Sequence, residues 1–184
     1  MTPDRTATWI VLLRGINLGS ANRIAMPALR EALAQAGFAD VRTYLQSGNV
    51  VLASELDADA VAVACTELIA ERFGLRIAVV VRSRDELAAV VARDPLGEVA
   101  TEPKRYQVSF LNREPEPGVV TTLESCRAGN ERVTAIGREI YAWHPDGVAR
   151  SKLSTALSGK SLGTAATARN WTTVTNLLEL ADAN

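Results

Sequence analysis

A chain of 184 residues that is 47% hydrophobic and 22% charged is long enough to bury a core that folds without metal or disulfide. Its two cysteines, Cys65 and Cys126, stand in no CxxC or Cys/His spacing, which argues against a secreted disulfide framework or a zinc site and points to a reducing, cytoplasmic setting. A formal net charge of −1 removes the usual electrostatic case for bulk nucleic-acid or membrane binding. Met1 to Thr8 lacks the basic-then-apolar order of a signal peptide, and no run approaches membrane-spanning length.

In chain order, the apolar run Trp9 to Leu13 predicts a strand that ends at Arg14-Gly15. Met26 to Ala36 places apolar residues at 26, 29, 33 and 36, with Pro27 near the start and Gly37 beyond the end, a helix with its usual punctuation. Val41 to Gln46 and Asn49 to Ala53 are β-prone runs around Ser47-Gly48 and predict a hairpin. Asp57 to Phe73 predicts a helix stopped by Gly74, and Arg76 to Val81 a strand. The order βαββαβ is the ferredoxin-like unit, an antiparallel four-stranded sheet with both helices on one face. Its strands are apolar at successive positions, as in Ile77-Ala78-Val79-Val80-Val81, so both faces are expected to be covered, with the second half as the covering body.

The second half opens with Ser83-x-x-Glu86, a capping box for a helix through Val91. Strands follow at Tyr106 to Leu111, Arg132 to Ile136 and Glu139 to Trp143, with Gly137-Arg138 as a hairpin turn. Helices around Val119 to Cys126, Ser151 to Leu157 and Trp171 to Leu180 complete an αβαββα order, a degenerate echo of the first unit. A boundary at Asp94-Pro95 divides residues 1–94, a ferredoxin-like subdomain, from 95–184, a second α/β subdomain carrying a basic segment and the last helix.

Charge is distributed unevenly. No Asp or Glu occurs between Arg5 and Arg30, or between Gly147 and Leu178, although the chain carries 21 acids. The first tract contains a long Gly/Asn/Arg loop, Arg14 to Arg23, with Gly15, Asn17, Gly19, Asn22 and Arg23 as the residues suited to present backbone N–H groups and positive charge to an anion. In a ferredoxin-like unit the hairpin Gln46-Ser47-Gly48-Asn49 emerges beside that loop. Its amides and hydroxyl would either meet a ligand or satisfy the loop's own backbone. The second tract holds Arg150, Lys152, Lys160 and Arg169 among hydroxyl side chains, a phosphate-friendly composition that a solvated basic loop would equally explain.

Ser158-Gly159-Lys160-Ser161 resembles the tail of a P-loop, but Ser154 stands where its first Gly is needed, which excludes nucleotide hydrolysis of that type. Asn170 predicts an N-cap, with Trp171 pinning the helix start and Arg169 placed where the helix N-terminus reinforces its charge. His144, Asp146 and Cys126 show no spacing that demands a nucleophile set, and one histidine with scattered carboxylates implies no metal. Nothing in the spacing implies a cofactor, and no residue pattern names a reaction.

Three stretches, Leu12 to Gly19, Thr43 to Val51 and Thr167 to Val174, resemble the signatures of the bacterial domain-of-unknown-function family 1697, and Ser151-Lys152-Leu153 resembles a further element. The resemblance implies an α+β fold of two ferredoxin-like subdomains in tandem, with mainly antiparallel sheets. It implies no activity, and it adds the expectation that these stretches form one site. The expected function is binding of a small phosphorylated or otherwise anionic molecule, with or without catalysis, through Arg14, Gly15, Asn17, Gly19, Asn22, Arg23, Gln46, Ser47, Gly48, Asn49, Ser151, Lys152, Arg169, Asn170 and Trp171. Second stands RNA or single-stranded nucleic-acid binding, which ferredoxin-like sheets perform through aromatics on an open face. Third stands a structural or partner-binding module without a ligand. No membrane partner is expected.

Overall fold

The computed structural model of the chain describes residues 6–158 and 160–183, without the side chain of Lys160. Arg5, Gly159 and the Lys160 side chain of the basic tracts therefore lie outside the described residues. The chain divides into two compact units: residues up to Ala88 together with those from Leu177 on, and residues Ala89–Asn176.

In the first unit β1 (Ala7–Leu13), α1 (Met26–Gln35), β2 (Ala39–Tyr44), β3 (Asn49–Ser54), α2 (Ala58–Phe73) and β4 (Val79–Ser83) follow one another. The strands pair antiparallel in the order β2-β3-β1-β4, the ferredoxin-like arrangement expected. Val11, Leu13, Val50, Leu52, Val79 and Val81 face the helices and share a core with Leu29, Leu33, Val61, Cys65 and Ile69. Alternate residues point the other way, and there Ile10, Leu12, Val51 and Val80 are each 0% exposed. Burial on both faces is what the uninterrupted apolar runs require. Asp57 caps α2 through the Ala60 amide at 2.8 Å, and Gly74, at φ 68°, ends it. β4 starts at Val79 rather than Arg76, because β1 ends at its partner Leu13 and leaves the earlier residues no strand to pair with. The chain's last residues are tied in by Arg84 Nε, which donates to Asp182 at 2.7 Å, and by Arg42, which donates to the Ala183 carbonyl.

After α3 (Arg84–Arg93) come β5 (Tyr106–Leu111), α4 (Pro117–Ser125), β6 (Arg132–Ile136), β7 (Glu139–Trp143), α5 (Lys152–Ser158), a 3-10 turn (Lys160–Leu162), β8 (Ala166–Asn170) and α6 (Trp171–Asp182). The capping box of α3 is closed in both directions: Ser83 N donates to Glu86 at 2.7 Å and Glu86 N to Ser83 Oγ at 3.1 Å. The second sheet has the order β6-β7-β5-β8, so the second unit repeats βαββαβ in full. This corrects the αβαββα expectation, which lacked β8. Ala166-Thr167-Ala168-Arg169-Asn170 contains one β-branched residue, so local propensity hides the strand. It forms because its backbone pairs with β5, from Leu111↔Ala166 to Gln107↔Asn170, and sheet propensity yields to such context.

The two sheets also correspond in register. Arg82 on β4 pairs with Ile10 of β1, and Arg169 on β8 pairs with Val108 of β5. Both arginines are buried, at 1% and 7% exposure. Each is followed by a polar cap, Ser83 or Asn170, that starts the next helix.

Candidate functional site

The register of the first sheet fixes which loops meet. Leu12 pairs with Asn49 and Leu13 with Val79, so β3 and β4 begin where β1 ends. Tyr44 also pairs with Asn49, so β2 ends there. The connections 14–25, 45–48 and 74–78 therefore share one end of the sheet, together with the start of α1 and the end of α2, whose last turn carries Glu71 and Arg72. None of the three contains Asp or Glu, and they carry Arg14, Arg23 and Arg76. The first turn of α1 is likewise free of acids, and its N-cap Ala25 makes no side-chain cap bond. Sequence reasoning missed Arg76. Its signal is a third acid-free stretch, Arg72 to Arg84, which gains meaning only when the topology brings it beside the other two.

Asparagine side chains build the long loop. Asn17 Nδ2 donates to the Ile24 carbonyl at 2.9 Å and to the Gln46 carbonyl at 2.7 Å, while its Oδ1 accepts from the Ile24 amide at 2.9 Å. One side chain thus closes the loop on itself and ties it to the hairpin. Asn22 Nδ2 donates to the Gly15 carbonyl at 3.1 Å, and Asn17 and Asn22 take φ of 54° and 50°, a region that asparagine tolerates better than most residues. Asn49 is 0% exposed and donates to the Tyr44 carbonyl at 2.8 Å and to Ser47 Oγ at 3.0 Å. Gly48 has φ 78°, and a Cβ there would lie 2.7 Å from both Leu13 Cβ and Ile16 Cδ1. Gly15, Asn17, Asn22, Gly48 and Asn49 accordingly shape this end, whereas Gly19, Arg23, Gln46 and Ser47 are exposed and Arg14 is half-buried.

Ser151, Lys152, Arg169, Asn170 and Trp171 belong to the second unit and gather where β5 begins, not where it ends: Asn170 pairs with Gln107, and the Trp171 ring stacks on Tyr106 at 4.7 Å. Ser151 Oγ accepts from the Ser154 amide at 2.9 Å as the cap of α5. Asn170 Oδ1 accepts from the Thr173 amide at 2.9 Å, the expected cap of α6. Lys152 is exposed. Arg169 does precede the Asn170 cap, as expected, but it stands inside β8 with its side chain buried. Its Nη1 donates to Thr167 Oγ1 at 2.7 Å and to the Ala168 carbonyl at 2.8 Å. Burial lowers its guanidinium to about 10.

The same unit brings together a polar cluster that spacing did not reveal. His144 Nδ1 lies 2.9 Å from Glu131 Oε1, with the ring 0% exposed, so its partner is Glu131 rather than Asp146 or Cys126. Glu131 also accepts from the Ala128 amide at 2.9 Å and from the Ser151 hydroxyl. Burial alone would raise the Glu131 carboxyl, but the bonds from Ser151, His144 and Ala128 hold it below its ordinary range. The carboxylate sits between serine and histidine, whereas a nucleophilic triad needs the imidazole between them. His144 Nε2 is buried and makes no hydrogen bond among the described residues. The cluster ties the residues ahead of β6, the end of β7 and the start of α5 to one another.

A cleft of about 740 Å³ runs from the opposite end of the first sheet, where β1 and β2 begin and β3 ends, along α2 as far as Arg72. Glu55, Glu67 and Glu71 line it beside Arg72, which gives it the wrong charge for an anion. No group of three or more His, Cys, Asp or Glu side chains able to hold a metal ion occurs among the described residues. No helix among them is long and apolar enough to cross a membrane.

The fold has a solved counterpart. The conserved bacterial protein SP0830 from Streptococcus pneumoniae is similar with a TM-score of 0.76 at 20% identity, over 96% of this chain and 99% of that one; at this identity the likeness establishes the fold alone. No curated protein matches the chain. The family model described as "Protein of unknown function (DUF1697)" matches residues 6–141. That span contains the stretches at Leu12 to Gly19 and Thr43 to Val51, while Thr167 to Val174 lies beyond it. With most of its length matched, the chain belongs to the DUF1697 family.

Proposed function

We propose that the chain is a binding protein for a small anionic molecule, phosphorylated or carboxylated, held where the three acid-free loops of the first unit meet. The observation that carries this reading is the convergence of three loops bearing Arg14, Arg23 and Arg76 and no carboxylate. The three loops bring cations together and carry no acid of their own, and clustered positive charge raises the local concentration of an anion. Exposed Gln46 and Ser47 add hydrogen-bonding groups beside it, and the uncapped first turn of α1 adds N–H groups and a positive dipole end. Asn17 and Gly48 hold the two loops in place. The reading leaves out the residues of the second unit, because Ser151, Arg169, Asn170 and Trp171 are engaged in caps, buried bonds and ring stacking.

No constellation at this end supplies a nucleophile and a base, so binding rather than catalysis is the function proposed. Two free cysteines, Cys65 buried and Cys126 half-buried, support a reducing cytoplasmic setting. Buried residues on both faces of the first sheet weigh against the aromatic open-face mode of RNA binding, which ranks oligonucleotides below small anions.

Melting temperature measured against phosphate concentration at constant ionic strength tests the proposal. A ligand that binds only the folded form stabilises it by about 2.7 kcal/mol at a hundredfold excess over Kd. The wild type is expected to respond and an Arg23→Gln, Arg76→Gln variant to lose the response. An equal response in both would refute the site.

A further inference from the structure

Two of the exposed large apolar side chains flank the bond that joins the loops. Leu18 is 69% exposed and Leu45 is 54% exposed. Leu18 follows Asn17 and Leu45 precedes Gln46, and Asn17 Nδ2 donates to the Gln46 carbonyl at 2.7 Å. Single exposed leucines are ordinary on a protein surface, but these two stand on loops joined by a hydrogen bond, one of which also carries Arg14 and Arg23. Leu45 also has φ 58°, a left-handed conformation that disfavours residues with a Cβ and suits Gly or Asn. A residue that would relax the turn is absent, and a large apolar side chain is displayed to solvent in its place. Ser20, Ala21 and Ser47 at the tips are small, and Gln46 stands between Leu45 and Ser47.

We infer that the ligand at this end is an amphiphilic anion, a soluble molecule whose phosphate or carboxylate is carried on an apolar chain or ring. The inference rests on the anion reading of the same end. The arginines meet the charged group, and Leu18 and Leu45 cover the apolar body, removing both from water. Three cations and two leucines recognise such a molecule without base-edge or peptide-specific contacts, so its chemistry is that of an acyl or aryl phosphate or carboxylate.

Calorimetric titration with inorganic phosphate, with octyl phosphate below its micelle-forming concentration, and with vesicles of anionic phospholipid tests this. Octyl phosphate is expected to bind roughly tenfold or more tighter than inorganic phosphate, the gain from partly burying an alkyl chain. A Leu18→Ser, Leu45→Asn variant should lose that difference and keep its phosphate affinity. Asparagine at 45 suits the backbone there, so the melting temperature should hold or rise, which separates loss of contact from loss of fold. Equal affinity of the wild type for the two phosphates would overturn the apolar half and leave the anion reading standing. Vesicle binding without any response to monomeric octyl phosphate would replace a soluble ligand with a membrane surface and overturn the proposal. No binding of any of the three would overturn the anion reading and this inference together.

Discussion

Gly48 holds the hairpin tip against the end of β1, and two independent constraints meet on it. Its φ of 78° is open to glycine, and a Cβ would collide with Leu13 and Ile16. Gly48→Ala is therefore expected to destabilise the fold by roughly 2–4 kcal/mol in urea denaturation; a loss below about 0.5 kcal/mol would show that the loops are not packed as described. Glu131 makes a different prediction. Its carboxyl is held below the ordinary value of 4.5 by Ser151, His144 and Ala128 against the opposing effect of burial. The folded form thus binds that proton less readily than the unfolded chain, so the contribution to stability is fully present above about pH 4.5 and is lost as pH falls through the folded value. Glu131→Gln should lower stability at neutral pH and flatten the decline of melting temperature on the acid side. An unchanged acid limb would mean that other carboxylates govern it.

β8 shows where local signals end. β5, β6 and β7 are alternating or continuous apolar runs bounded by turn residues, and their limits are legible in the chain. β8 has two alanines, an arginine and an asparagine in five residues, so only its partner β5 makes it a strand. The same tract, read for charge, suggests an open basic loop, because a buried arginine and an exposed one look alike in sequence. Arg169→Ala tests the placement. It removes the bonds to Thr167 and Ala168 and leaves a void beside Val108, at an expected loss of roughly 2–4 kcal/mol. A stability unchanged within about 0.5 kcal/mol would return Arg169 to the exposed loop. Caps fared better as sequence signals, since Ser83-x-x-Glu86 and Asn170 act through neighbours three residues away and need no tertiary context.

At the scale of the whole chain, one βαββαβ plan occurs twice, with a buried arginine on the last strand of each copy and a capped helix after it. The repeat is faint in sequence because the equivalent pairs, such as Ile10 with Arg82 and Val108 with Arg169, share a register more than residue identities. The loop and hairpin of the candidate site were legible from the strand directions of a ferredoxin-like unit. The division of labour within them was not: which asparagines are consumed by the loop depends on bonds between residues seven and 29 positions apart, and Arg76 joins only through the pairing of β4 with β1. Binding of an anion where the acid-free loops of the first unit meet should be visible at those loops. Amide chemical shifts of the labelled protein, followed during phosphate titration at constant ionic strength, test it most directly. Saturable shifts are expected at residues 14–25, 45–48 and 74–78, abolished by Arg23→Gln with Arg76→Gln. Shifts confined to the residues around Ser151 and Lys152, or a titration that moves no amide of the first unit, would contradict it.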